Sequence, residues 1–181
     1  MALIIYGSPR SRTMRTLWMV EELGLPYEHR PLAWDDPELK SDAFLGLNPA
    51  GSVPTIVDDG FSLSESMAIN LYLAKRYASG ALYPDTPTGE AETWRWSLWA
   101  QAHLEPWLQK DESVLRLRGG DPEGWRGMVH ASLGVLERAL ARRVWLSGET
   151  FTVADLNVAG VLSPSRADTV DLATFSHVGD W

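Results

Sequence analysis

The stretch Ala78-Ser-Gly-Ala-Leu-Tyr-Pro-Asp-Thr-Pro-Thr-Gly89 constrains this chain more than any other. Its Gly, Pro, Ser and Thr content reads as a linker, and the chain changes character across it. Residues 1–83 hold two of the nine tryptophans and most strand-like segments, while residues 84–181 hold seven and look helical almost throughout. The expected fold class is α+β, with a strand-bearing domain over 1–78, a linker over 79–89 and an all-α domain over 90–181. With 181 residues, 45% hydrophobic and 22% charged, the chain is long and apolar enough to bury a core.

Within the first half, Leu3-Ile-Ile-Tyr6 is a short apolar run of the kind that forms a buried strand. Met14, Leu17, Val20 and Leu23 then recur at threes, with Gly24 as a stop, which predicts a helix over 12–23. A second strand is expected over 26–32, and the strand–helix–strand order makes the two strands parallel. Val53-Pro-Thr-Ile-Val57 and Phe61-Ser-Leu63 flank Asp58-Asp-Gly60, a hairpin signal. A helix from Ser66 to about Tyr77 completes a mixed four-stranded sheet with helices packed on it.

The second half predicts three helices. The first runs from Glu90 to about Leu117, with Pro106 expected to kink or split it. The second runs over 122–143, where Val129, Leu133, Leu136 and Leu140 line one face. The third starts at Thr152-Val-Ala-Asp155, a variant capping box flanked by Phe151 and Leu156 at staple positions. That motif is read as helix initiation, without chemistry.

Composition removes several functions. With no cysteine, disulfide scaffolds, thiolate zinc sites and a cysteine nucleophile are all excluded. The four histidines show no paired spacing, so no metal site is expected. Sixteen basic and 24 acidic residues give a net charge of −8, which argues against nucleic acid or an anionic membrane as main partner. No apolar run approaches about 18 residues and no signal peptide is read, so a soluble, cytoplasmic protein is expected.

Three places can carry chemistry. Ser11 sits in a strand-to-helix loop, where a hydroxyl and orphan backbone N–H groups favour an anion such as a thiolate; its alternative role is a plain helix cap. Tyr6 and Ser8 are rival hydroxyls. At Val53-Pro54 a cis bond would leave the valine backbone facing outward, ready to pair with an extended peptide. Glu65-Ser66 precedes a helix, where the carboxylate either accepts from an ammonium group or simply favours the helix start, and Ser66 can cap.

Taken together, Leu3-Ile-Ile-Tyr-Gly-Ser-Pro-Arg-Ser11, Leu45-Gly-Leu-Asn-Pro-Ala-Gly-Ser-Val-Pro54, Leu63-Ser-Glu-Ser-Met-Ala-Ile69 and Phe151-Thr-Val-Ala-Asp-Leu156, in this order, resemble the cytosolic glutathione transferases over essentially the whole chain. The resemblance implies a thioredoxin-like N-terminal domain, an all-helical C-terminal domain, and a detoxifying enzyme that activates the glutathione thiol for attack on small hydrophobic electrophiles. Glutathione is then a substrate, with no cofactor and no metal, and a homodimer is implied.

Ser11, four residues before Arg15, is similar to the serine-type arrangement, with Tyr6 as the tyrosine-type alternative. Val53 and Pro54 are implied for the cysteinyl backbone, Glu65 and Ser66 for the γ-glutamyl end, and Lys40 for the glycine carboxylate. Ser52 stands where relatives often carry lysine or glutamine. Trp99, His103 and Trp107 step by four and are implied for the electrophile site, against the plainer reading of an aromatic core stripe. Relatives usually continue with a further helix beyond Ser176-His-Val-Gly-Asp-Trp181, so a C-terminally short chain with a more open site is expected. Two other functions compete: a non-catalytic binding or assembly module of the same fold, and a glutathione-dependent peroxidase.

Overall fold

The computed structural model describes residues 2–78, 80–108, 120–162 and 171–181. The chain divides into two compact units, Met1–Tyr83 and Pro84–Trp181. The first contains β1 (Leu3–Tyr6), α1 (Thr13–Glu22), β2 (Glu28–Arg30), a 3-10 turn (Pro37–Lys40), α2 (Asp42–Leu45), β3 (Thr55–Asp58), β4 (Phe61–Ser64) and α3 (Ser66–Tyr77). The strands form one sheet in the order β2-β1-β3-β4. β1 and β2 are parallel, while β3 is antiparallel to both β1 and β4, which is the mixed sheet expected from the sequence.

Register decides where the loops leave. Tyr6 stands opposite Arg30 on one side and Thr55 on the other, and Thr55 stands opposite Ser64. Gly7 after β1, Pro54 before β3 and Glu65 after β4 therefore all emerge at one end of the sheet. Along β1, Leu3 and Ile5 are buried and alternate with Ile4 and Tyr6. Tyr6 belongs to a cluster with Leu39 and Phe44, against which Ile4, Leu32, Leu47, Val53 and Val57 pack.

Two segments differ from expectation. β2 is only three residues long, because Pro26 and Pro31 offer no N–H to a ladder at either end. The stretch 33–52, between the expected strands and given no element in the sequence reading, holds the 3-10 turn and α2. Asp36 accepts from the Glu38 N–H and Ser41 from the Phe44 N–H, so both short elements are capped by side chains.

The second unit contains α4 (Pro87–Trp99), a π-helical segment (Ala100–Leu104), α5 (Glu105–Leu108), α6 (Pro122–Leu140), α7 (Val153–Val161), a 3-10 turn (Leu172–Thr174) and α8 (Ser176–Asp180). α4 begins at Pro87 behind Thr86 as N-cap, inside the stretch read as linker. The helical run passes through Pro106 to Leu108. The run widens one turn earlier, with the Glu105 N–H bonding the Ala100 carbonyl five residues back. The predicted continuation over 109–117 lies outside the described residues.

The capping box of α7 forms as expected. Asp155, fully buried, accepts from the Thr152 N–H at 2.9 Å, the Leu146 N–H at 2.8 Å and the Trp181 indole at 3.1 Å. α4 and α7 are joined by Asn157 Nδ2 donating to Ser97 Oγ at 2.9 Å. Among the described residues no helix is long and apolar enough to cross a membrane.

Candidate functional site

The shared end of the sheet gathers three corners of a site in the first unit. The first is the loop from Gly7 to Thr13. Gly7 has φ +128°, and a methyl group there would overlap Thr13 Oγ1 and come within 2.9 Å of Val53 Cβ. Only glycine allows this approach, which places the start of α1 beside Val53. The backbone of Gly7 is held by its N–H to the Arg30 carbonyl at 2.9 Å and by the His29 ring against its own carbonyl at 2.8 Å.

Ser11, partly buried, precedes the helix by two residues. Its Oγ accepts from the Thr13 N–H at 3.2 Å, donates to the Ser8 carbonyl at 2.8 Å and lies 2.8 Å from Thr13 Oγ1. The oxygen thus receives the first helical N–H from a position just before the N-cap Arg12, while its proton is given to the Ser8 carbonyl.

Tyr6 is placed differently. Its ring is 5% exposed, stands edge-on to Phe44 at 5.5 Å and packs in the cluster that supports Val53. Its hydroxyl accepts from Arg30 Nη1 at 3.2 Å. The side chain is thus packed against Phe44 and its hydroxyl is engaged by Arg30.

The second corner is the loop entering β3, where the Val53–Pro54 bond is cis. Among the described residues neither the N–H nor the C=O of Val53 makes a hydrogen bond. Buried Asn48 organises this loop. Its Nδ2 donates to the Ser52 carbonyl at 2.9 Å, to Ser52 Oγ at 3.3 Å and to Thr55 Oγ1 at 3.0 Å, and its Oδ1 accepts from the Ala50 N–H. Sequence reading passed over Asn48; the available signal was an amide immediately before Pro49-Ala-Gly51, where its own turn needs a side-chain partner. Lys40, exposed, donates to the Gly51 carbonyl at 2.9 Å, so its ammonium sits on the loop leading to Ser52.

The third corner is the β4–α3 junction. Glu65, exposed, has φ +72° and ψ 111°, and its side chain makes no cap bond to α3. Ser66 is the first helical residue and not the cap; it is 4% exposed and accepts from buried Arg15 of α1 at 3.4 Å. A non-glycine residue at this φ is strained, and such strain concentrates where a side chain is held for a purpose.

The expected electrophile-site residues lie in the second unit. Trp99 and Trp107 are partly buried and His103 is exposed, so the three form neither a closed core stripe nor a packed histidine. His103 also falls inside the π-helical segment, so the i, i+4 spacing of an α-helix does not place the three on one face as expected. Trp99 stands edge-on to buried Trp96 at 5.4 Å. A recess of about 440 Å³ in this unit is lined by Leu140, Arg143, Val144, His177 and Trp181 among others, and contains none of the three. Among the described residues no cluster of His, Asp or Glu could hold a metal ion.

A mixed four-stranded sheet of thioredoxin type followed by an all-helical unit is the architecture of the glutathione transferase class of proteins. Comparison with known proteins agrees. Residues 9–76 match the family model "Glutathione S-transferase, N-terminal domain" and residues 99–181 the model "Glutathione S-transferase, C-terminal domain". Glutathione S-transferase 3 of Zea mays is 34% identical over 177 residues, covering 86% of this chain and 74% of its own length. Glutathione S-transferase GstB of Escherichia coli K12 is 33% identical over 168 residues, covering 86% and 79%. The structure of a delta-class glutathione transferase of Nilaparvata lugens superposes with a TM-score of 0.87 at 27% identity, over 99% of this chain and 85% of that one. The chain belongs to the glutathione S-transferase family. It is a glutathione transferase, and glutathione is its substrate rather than a cofactor.

Proposed function

We propose that Ser11 is the residue that activates the glutathione thiol, and that the thiolate attacks small hydrophobic electrophiles in a cytoplasmic, detoxifying, homodimeric enzyme. What carries this reading is the position of the Ser11 hydroxyl at the mouth of α1, at the same sheet end as the unpaired Val53 backbone and the Glu65 carboxylate. Val53 pairs with the cysteinyl backbone as an added strand would, with Pro54 setting the loop. Glu65 and Ser66 take the γ-glutamyl end, and Lys40 and Ser52 flank the glycine carboxylate. Trp99, His103 and Trp107 serve the electrophile.

A free thiol of pKa about 8.5 is only about 3% thiolate at pH 7. Lowering that value by about two units takes roughly 2.7 kcal/mol of preference for the anion. One hydroxyl donor and the N-terminus of a ten-residue helix supply an effect of that order. The thiol proton leaves to solvent and Ser11 keeps its own. A sulfur lone pair forms the new S–C bond, and the pair of the displaced bond departs with the leaving group.

The test is Ser11→Ala. Glutathione binding should persist, because the peptide ends supply most of it, while the bound thiol's pKa rises by about one to two units, the worth of one hydrogen bond to an anion. Conjugation at neutral pH should fall about ten- to a hundredfold and recover in part at higher pH. Titration of the bound thiolate's absorbance decides it: a curve unchanged in Ser11→Ala but shifted in Tyr6→Phe assigns the role to Tyr6.

A further inference from the structure

We propose that Thr13 is a positioning residue for catalysis: its buried hydroxyl occupies the Ser11 oxygen and leaves Ser11 able only to donate. This rests on the assignment of Ser11 as the thiol-facing hydroxyl. Ser11 and Thr13 carry two hydroxyl protons between them. The acceptors within reach are the Ser8 carbonyl at 2.8 Å from Ser11 Oγ, and each hydroxyl for the other, 2.8 Å apart. Thr13 is fully buried, and among the described residues Ser11 Oγ is the one hydrogen-bonding partner of its hydroxyl. If Ser11 donated to Thr13, the Thr13 proton would be buried without an acceptor, which is costly. The arrangement that satisfies both protons has Thr13 donating to Ser11 and Ser11 donating to the Ser8 carbonyl.

The Thr13 backbone N–H also donates to Ser11 Oγ, at 3.2 Å. Both lone pairs of the Ser11 oxygen are then taken by one residue. An arriving glutathione sulfur finds an oxygen that can offer its proton, by rotating it off the Ser8 carbonyl, and that has nothing with which to accept one. A thiolate is stabilised by such a group; a neutral thiol, which would need an acceptor for its S–H, is not. Thr13 thereby turns an amphoteric serine into a one-way donor, and the bond it gives also makes that donor stronger. Gly7 is the enabling residue, since any side chain there would fill the space of the Thr13 hydroxyl.

Thr13→Val removes the hydroxyl at nearly constant volume. The pH profile of conjugation, and the absorbance titration of bound thiolate, should both move up by about 0.5–1 unit, so that rates on the acid side fall about three- to tenfold while the alkaline plateau matches the parent. Thr13→Ser should restore the parent profile. In a Ser11→Ala background, Thr13→Val should add no further shift, because the group it acts through is gone. If Thr13→Val does not fold, Thr13→Ala removes the same hydroxyl and is read in the same way. A shift with Ser11→Ala but none with either Thr13 variant overturns the inference and leaves the Ser11 assignment standing. No shift with Ser11→Ala overturns both.

Discussion

Glu65 is the residue whose backbone asks most for an explanation. A positive φ in a glutamate costs about 1–3 kcal/mol, and a glycine at the same turn would relieve it. The side chain makes no bond to its own helix, so capping does not offset this cost; binding of the glutathione ammonium group is the offset proposed above. Glu65→Ala should therefore weaken glutathione binding by about 1.5–3 kcal/mol, the worth of a charge-assisted hydrogen bond, with little loss of thermal stability. Calorimetric titration with glutathione measures the first and a melting curve the second; unchanged affinity would reject the assignment. At this scale the sequence was partly legible. Serine and glutamate at helix starts announce themselves by type and spacing, so Ser11 and Glu65 stood out. Their orientation was hidden, because a rotamer and a positive φ depend on neighbours such as Thr13 and Arg15 that are distant in kind or in sequence. Strand alternation dictates the face of the Tyr6 side chain once the strand end is known, but it does not choose between Tyr6 and Ser11.

At the scale of elements, periodicity carried the long pieces and failed on the short ones. β1, α1, the β3–β4 hairpin and α3 follow from runs and repeats that span a whole element. α2 and the 3-10 turn are four residues each, too short to repeat, and their signal lay in the caps Asp36 and Ser41. The π-helical segment before Pro106 had no local signature, since widening a turn is one of several ways to relieve a proline. The hairpin and α3 are joined by a cluster that supplies a pH test. Asp58, 1% exposed, accepts from the Tyr72 hydroxyl at 2.8 Å and from the Tyr77 hydroxyl, with Arg76 Nε 3.3 Å away. Burial, and then the bond to Asp58, push the Tyr72 phenol up to about 12. A folded-state value above the unfolded one, about 10, means the contribution is fully present below pH 10 and is lost as pH rises through the folded value. The difference between the tyrosinate titrations of the parent and of Tyr72→Phe should have its midpoint near 12; a midpoint near 10 would show that the phenol does not hold the hairpin to α3.

For the whole molecule, the 20.1 kDa chain carries two exposed apolar side chains one turn apart on α4, Trp94 at 48% and Leu98 at 62%. A paired exposure of this kind on one helical face suits an interface better than solvent. Sedimentation velocity should give a species of about twice the chain mass, and Leu98→Glu should shift it toward the monomer. A concentration-independent monomer in the parent would reject the homodimer. The two-part division of the chain was legible from tryptophan and glycine–proline distribution alone. What composition could not fix was where the second part begins, because Thr86-Pro87 reads equally as turn and as helix start until the cap bond is seen.

The ladder row Tyr6–Thr55–Ser64 has one more consequence, and it is metric. Neighbouring strands lie about 4.8 Å apart, so the corners after β1, before β3 and after β4 are spread over two such gaps, or roughly 10 Å. Three residues of extended chain span at most about the same length. If glutathione lies across these corners as proposed, the spacing that measures it is set by main-chain hydrogen bonds rather than by any one side chain.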